Sequence, residues 1–140
     1  MAHQQRELGW VIVILYLAAL LRITVFRPSF LAGTPGELNL LPFFDLAEIL
    51  KTQGVLYFLY LFLGNIVWFV PFGFLLGALV PRLRGWVVVF GFFLSLLIEA
   101  LQYWGGSGVS EIDDLILNTL GTGLGYGGLC FLRRRITFRK

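Results

Sequence analysis

Charge is what this chain has least of. Only 14% of its 140 residues are charged, against roughly a quarter in a soluble domain of that length. With 58% hydrophobic residues and a mean hydropathy of +0.83, an ordinary water-soluble domain is excluded. A single cysteine, Cys130, rules out an internal disulfide and a cysteine metal cluster. A single histidine, His3, placed in a polar N-terminal stretch, leaves no paired-histidine zinc motif. There is no serine-nucleophile motif and no phosphate-cradling glycine loop. No cofactor or metal is therefore expected, and no catalytic residue can be assigned.

What the chain does have is four apolar blocks, at 8–26, 55–80, 86–104 and 112–132. Each is long enough for a hydrocarbon core that takes roughly 20 helical residues to cross. Backbone groups in lipid must be satisfied within their own segment, so all four are expected to be helices. The predicted architecture is an all-α integral membrane protein, a four-helix bundle forming a single domain over 1–140. Pro71 kinks the second span. The first block contains Arg22 and exceeds a signal-peptide core in length, which marks it as a retained span.

Basic residues orient the bundle. Arg6, Arg82, Arg84 and the five of the tail "RRRITFRK" fall on one side, and only Arg27 and Lys51 on the other. Both termini are thus expected in the cytoplasm. The basic tail reads as a topology anchor meeting anionic lipid, with no role for nucleic acid. Glu37, Asp45, Glu48, Glu111, Asp113 and Asp114 fall on the outer side, so any chemistry should face outward.

An ionisable residue in a span calls for a partner or a water-filled cavity. Glu99 and Arg22 each lie roughly 6–8 Å below the outer boundary, counted at helical rise, and could pair. Ser95, Glu99, Gln102 and Tyr103 share one face of the third span. Glu111, Asp114 and Asn118 share a face of the fourth, which Gly121 and Gly125 continue as a helix-packing stripe. Asn65, near mid-membrane in the second span, suits either an interhelical hydrogen bond or a site. In the first outer loop, the stretch from Pro42 reads as a short amphipathic helix, in the interface or re-entrant. Phe43, Leu46 and Leu50 form one face, with Asp45, Glu48 and Thr52 on another, and Pro42 in the first turn. Together these features predict an outward cleft lined by Glu99, Gln102, Asp114 and Asn118, with Arg22 nearby and Asp113 exposed. Such carboxylates suit acid–base work on a polar headgroup, a cation bridge to a phosphate, or a network that only fixes helix register.

The blocks "LNLLPFFDL", "GNIVWFVPFGFLLGAL" and "SLLIEALQYWGGSGVSEIDDLILNTLGTGLGYG" occur in the order that resembles the VanZ-like family. The residues that carry the resemblance are Asn39, Pro42, Phe43, Asn65, Pro71, Phe72, Gly73, Glu99, Gln102, Asp113, Asp114, Asn118 and Gly121. Members often have an arginine shortly before the acidic run and an aspartate opening it. Here Gly108 and Glu111 stand there, leaving Arg22 or Arg27 to supply a cation. The resemblance implies a bacterial membrane protein of the cell envelope, in a family whose namesake protects against teicoplanin, a lipid-tailed glycopeptide. The expected partners are the bilayer and a lipoglycopeptide or lipid-linked cell-wall precursor. Binding or remodelling of such an amphiphile, a headgroup-directed enzyme, and a structural partner of a membrane complex all remain open.

Overall fold

The computed structural model describes residues 2–31 and 36–137. The helices are α1 (Ala2–Thr24), α2 (Phe44–Thr52), α3 (Val55–Leu79), α4 (Val87–Gly105) and α5 (Ile112–Thr137). A 3-10 turn, Pro81–Trp86, leads from α3 into α4. Four segments, Gln4–Thr24, Val55–Leu79, Pro81–Gly105 and Ile112–Ile136, are long and apolar enough to cross a membrane. The spans match the expected four, with shifted ends. The polar residues after Met1, His3 among them, continue α1 instead of forming a tail. At the other end, α5 runs five residues past its apolar block and carries Arg134 and Arg135 in its last turn, where cations suit the helix C-terminus. Arg139 and Lys140 of the basic tail lie outside the described residues.

Burial is inverted relative to a soluble bundle. Leu56, Tyr60 and Trp104 are 85%, 72% and 83% exposed, while Ser95, Glu99, Gln102, Asn118 and Thr122 are buried. Along α4 the buried positions are Val87, Gly91, Ser95, Ile98, Glu99, Gln102 and Gly105, one helical stripe in which glycine and polar side chains outnumber the two aliphatic ones. Lipid rewards that pattern: apolar side chains gain nothing by leaving hydrocarbon, so the interior selects close packing and hydrogen bonds.

The closest packing joins α3 to α5, which run parallel. A Cβ on Gly121 would stand 2.2 Å from Ile66 O, one on Gly125 2.0 Å from Val70 O, and one on Gly73 1.9 Å from Thr122 O. Backbone touches backbone here, so the glycine stripe packs within the chain. On α4, Gly91 makes a similar approach to Thr122 Oγ1. α1 packs more lightly, and its Tyr16 hydroxyl donates to Trp68 O at 2.5 Å, beside the point where Pro71 interrupts the backbone ladder of α3.

α2 packs across α3 and α5 together, seating Leu46 with Ile66 and Leu117 against Phe58, Leu61 and Phe62. The helix expected from Pro42 starts two residues later, at Phe44. Pro42 sits in the preceding turn, and Phe43 takes a left-handed conformation at φ 59°. Of the expected apolar face only Leu46 is buried, while Phe43 and Leu50 remain exposed.

Two short strands depart from the all-α expectation. β1 (Glu37–Asn39) pairs in parallel with β2 (Val109–Glu111), in register Glu37↔Val109, Leu38↔Ser110 and Asn39↔Glu111. Leu31 N–H donates to Gly105 O (2.6 Å) and Gly36 N–H to Tyr103 O (2.7 Å), tying the same loop to the end of α4. The α1–α2 and α4–α5 connections are thereby clasped together at one end of the bundle.

Replacing Gly125 with leucine forces the α3 and α5 backbones apart. Overpacking of this kind costs about 1–3 kcal/mol. Thermal unfolding in detergent should show a lowered melting temperature for Gly125→Leu. Gly127→Leu, where a Cβ meets nothing within 4 Å, should melt like wild type.

Candidate functional site

The polar stripe of α4 ends beneath the clasp. Glu99, 6% exposed, turns its Oε2 toward β2, where it accepts from Glu111 N–H (2.9 Å). The Ser110 hydroxyl reaches both that oxygen (3.0 Å) and Glu99 O (3.1 Å). Glu99 is therefore the acceptor that folds the chain after α4 back over its own helix. One turn further on, Gln102 Nε2 donates to Thr24 O at the end of α1 (3.0 Å).

α5 supplies the complementary set. Asp113, 1% exposed, accepts Phe43 N–H through Oδ1 at 2.7 Å and so holds the left-handed turn that launches α2. Asp114 accepts from Asn65 Nδ2 on α3. Asn118 Nδ2 donates to Ser95 Oγ on α4 at 2.9 Å. At the clasp, Asn39 Oδ1 accepts Leu41 N–H (3.0 Å), an Asx turn, while its Nδ2 donates to Asp45 Oδ2 on α2 (2.6 Å).

Six of the eight residues singled out in the sequence thus link α1, α2, α3, α4, α5 and both strands at one end, and Asn65 joins them through Asp114. Arg22 does not. It is exposed, and its Nη1 donates to Phe26 O (2.5 Å), so the pairing with Glu99 expected from equal depth is not formed. The arginine finds an acceptor on its own chain four residues on, and Glu99 is taken up by β2. The open cleft is also corrected. Glu99, Gln102, Asp113 and Asn118 are all at most 6% exposed, because the clasp roofs them, and Asp113 is the most enclosed instead of the exposed member. Tyr103 leaves the shared face and is 37% exposed. Among the described residues, no three acidic, histidine or cysteine side chains converge to hold one metal ion.

Spacing missed Ser110 and the inward turn of Asp45. Ser110 carries no signal beyond its place between Glu99 and the acidic run. Among the described residues, four buried polar atoms have no hydrogen-bond partner: Glu99 Oε1, Gln102 Oε1, Ser107 Oγ and Asp113 Oδ2. In a packed interior such groups are uncommon and costly, which marks this end as the part of the bundle with unused bonding capacity.

Glu111 lies on β2, between the spans. Its carboxyl is pushed up to about 7, first by burial and then by the neighbouring charges of Asp114, Asp45 and Asp113. The folded protein therefore holds this proton more tightly than the unfolded chain. Stability from Glu111 is fully present below about pH 4.5 and is lost as pH rises through about 7.

Two measurements check the network. Glu99→Leu orphans the Glu111 N–H, at about 1–3 kcal/mol for a buried donor, while the Ser110 hydroxyl keeps Glu99 O as acceptor. Glu99→Gln keeps an acceptor and should lose much less on thermal unfolding. The gap in melting temperature between wild type and Glu111→Gln should move against wild type between about pH 4.5 and pH 7.5. A gap independent of pH would place Glu111 outside the titrating set.

Compared with known proteins, residues 13–133 match the VanZ/LLP1 family. No curated protein and no solved structure matches the chain. The matched range includes α3, α4, both strands and all of the polar cluster from Arg22 to Asn118. With that match extending over most of its length, the chain belongs to the VanZ/LLP1 family.

Proposed function

We propose that this protein sits in the bacterial cytoplasmic membrane with both termini inside, and that its carboxylate end binds or remodels the headgroup of an outer-leaflet amphiphile. Lowered susceptibility to lipid-tailed glycopeptides such as teicoplanin is the expected consequence. Orientation rests on the basic residues: Arg82, Arg84, Arg134 and Arg135 gather at the end opposite the clasp. Family membership supports the envelope setting, and the chemistry is argued from the site itself.

The carrying observation is the layering of the clasped end. Leu38, Leu40, Leu41 and Phe44 are 56–62% exposed on the segment that runs through β1 into α2. Directly behind that segment lie Asp113, Asp114, Glu99 and Glu111. An amphiphile presents the same order, with tails against an apolar surface and a polar head beside carboxylates. Access requires the clasp to open, and three residues per strand make a short tie.

A second reading has an observation of its own. Glu99, Asp114 and Asn118 each already bond another element, as they would in a network that only sets helix register within a structural partner of a larger complex.

Drug susceptibility of a sensitive Gram-positive host separates the two at matched membrane expression. Protection against teicoplanin but not vancomycin, which has no lipid tail, should be lost in Glu99→Gln and Asp114→Asn. It should also be lost when a Glu37→Cys/Val109→Cys pair, in a Cys130→Ser background, is oxidised to lock the clasp, and recover on reduction. Full protection by the locked form would favour the structural reading.

A further inference from the structure

Arg27 is exposed and lies three residues past the end of α1. Its Nε–H donates to Ile23 O at 3.2 Å, a bond to the last turn of its own helix that sets the direction of the guanidinium. That direction brings Nη1 to 3.6 Å from the point where a Cβ on Gly108 would stand. Gly108 immediately precedes β2, so the cation lies across the loop that leads into the carboxylates.

The charges at this end are strongly unbalanced. Asp113 and Asp114 come from α5, Glu111 from β2, Glu99 from α4, Asp45 from α2 and Glu37 from β1. Of the other two cations on this side, Arg22 donates to Phe26 O, and Lys51 sits in the last turn of α2, at the opposite end of that helix from Asp45. A lone cation over carboxylates in free water contributes little. Here Asp113 is 1% exposed, and charge so enclosed is poorly screened by salt.

We infer that Arg27, laid across Gly108, is the counter-charge of the carboxylate end, a positioning residue that keeps the acidic side chains gathered beneath the clasp. Gly108 leaves the loop surface open for it. A guanidinium supplied from position 108 starts 3.6 Å from the same place, and the glycine has no left-handed φ, so its backbone accepts arginine. The role goes beyond the proposed amphiphile binding and does not depend on it. It holds whether or not the protein protects against any drug.

The test is thermal unfolding of the purified full chain in detergent micelles, followed by circular dichroism at about pH 4 and pH 8. Arg27→Gln should lower the melting temperature by several degrees more at pH 8, where more of the carboxylates are charged, than at pH 4. Arg27→Lys should recover most of the loss. The relocated pair Arg27→Gln/Gly108→Arg should recover it too, while Arg22→Gln should leave the difference between the two pH values unchanged. Equal losses at both pH values would assign Arg27 a packing role and overturn the inference. So would no loss in Arg27→Gln, or a relocated pair no better than the single variant.

Discussion

The acceptor at Glu99 Oε2 organises the end of the bundle that matters. A carboxylate on the buried stripe of α4 captures the Glu111 N–H and the Ser110 hydroxyl, so the chain leaving α4 turns back over its own helix. That turn presents Val109–Glu111 as an edge, and the edge is what Glu37–Asn39 pairs with. The paired strand fixes the first loop, whose continuation puts Phe43 N–H on Asp113 and Leu46 against Ile66 of α3 and Leu117 of α5. Removing the acceptor would free the β2 edge and leave the first loop held by the Leu31–Gly105, Gly36–Tyr103 and Phe43–Asp113 bonds alone. Strand backbone at the margin of a membrane is tolerable only where its polar groups are met, and here side chains and ladder meet them together.

The rest of the bundle follows from lipid as solvent. With apolar residues equally at ease inside and outside, the interior is allotted to groups that gain by leaving hydrocarbon. Beside the apolar cluster of Leu20, Val25, Phe69 and Ile98, these are the glycines that bring α3 and α5 into backbone contact and the polar side chains that bond across helices. The two kinds occupy different heights. Glycine contacts dominate from Gly121 and Gly73 downward, and hydrogen bonds dominate from Asn118 upward. A rigid lower half therefore supports an upper half with more polar groups than partners.

This division also explains what could be read without a structure. The spans were legible because length and hydropathy are local properties, and the glycine stripe because its spacing is helical. Glu99, Gln102, Asp113, Asp114 and Asn118 were legible because polarity inside an apolar run is conspicuous. The strands were not. Three residues give no alternation to detect, and a parallel pairing between positions 39 and 111 depends on where two helices end. Residue counting gave depth but not partners. Gln102 on Thr24 O keeps Arg22 and Glu99 near one level, yet Arg22 turns to its own chain, and Asn65 finds Asp114 near the start of α5. Exposure of Asp113 was misjudged because its roof is built by a loop distant in sequence.

The most direct measurement of the central claim is the distance between the Glu99 side-chain carboxyl carbon and the Glu111 amide nitrogen, by solid-state NMR dipolar recoupling in lipid bilayers. A strong carbon–nitrogen coupling, with the Glu111 amide protected from exchange, is the predicted result. No measurable coupling together with a freely exchanging Glu111 amide would show that Glu99 does not close this end of the protein, and the clasp would need another cause.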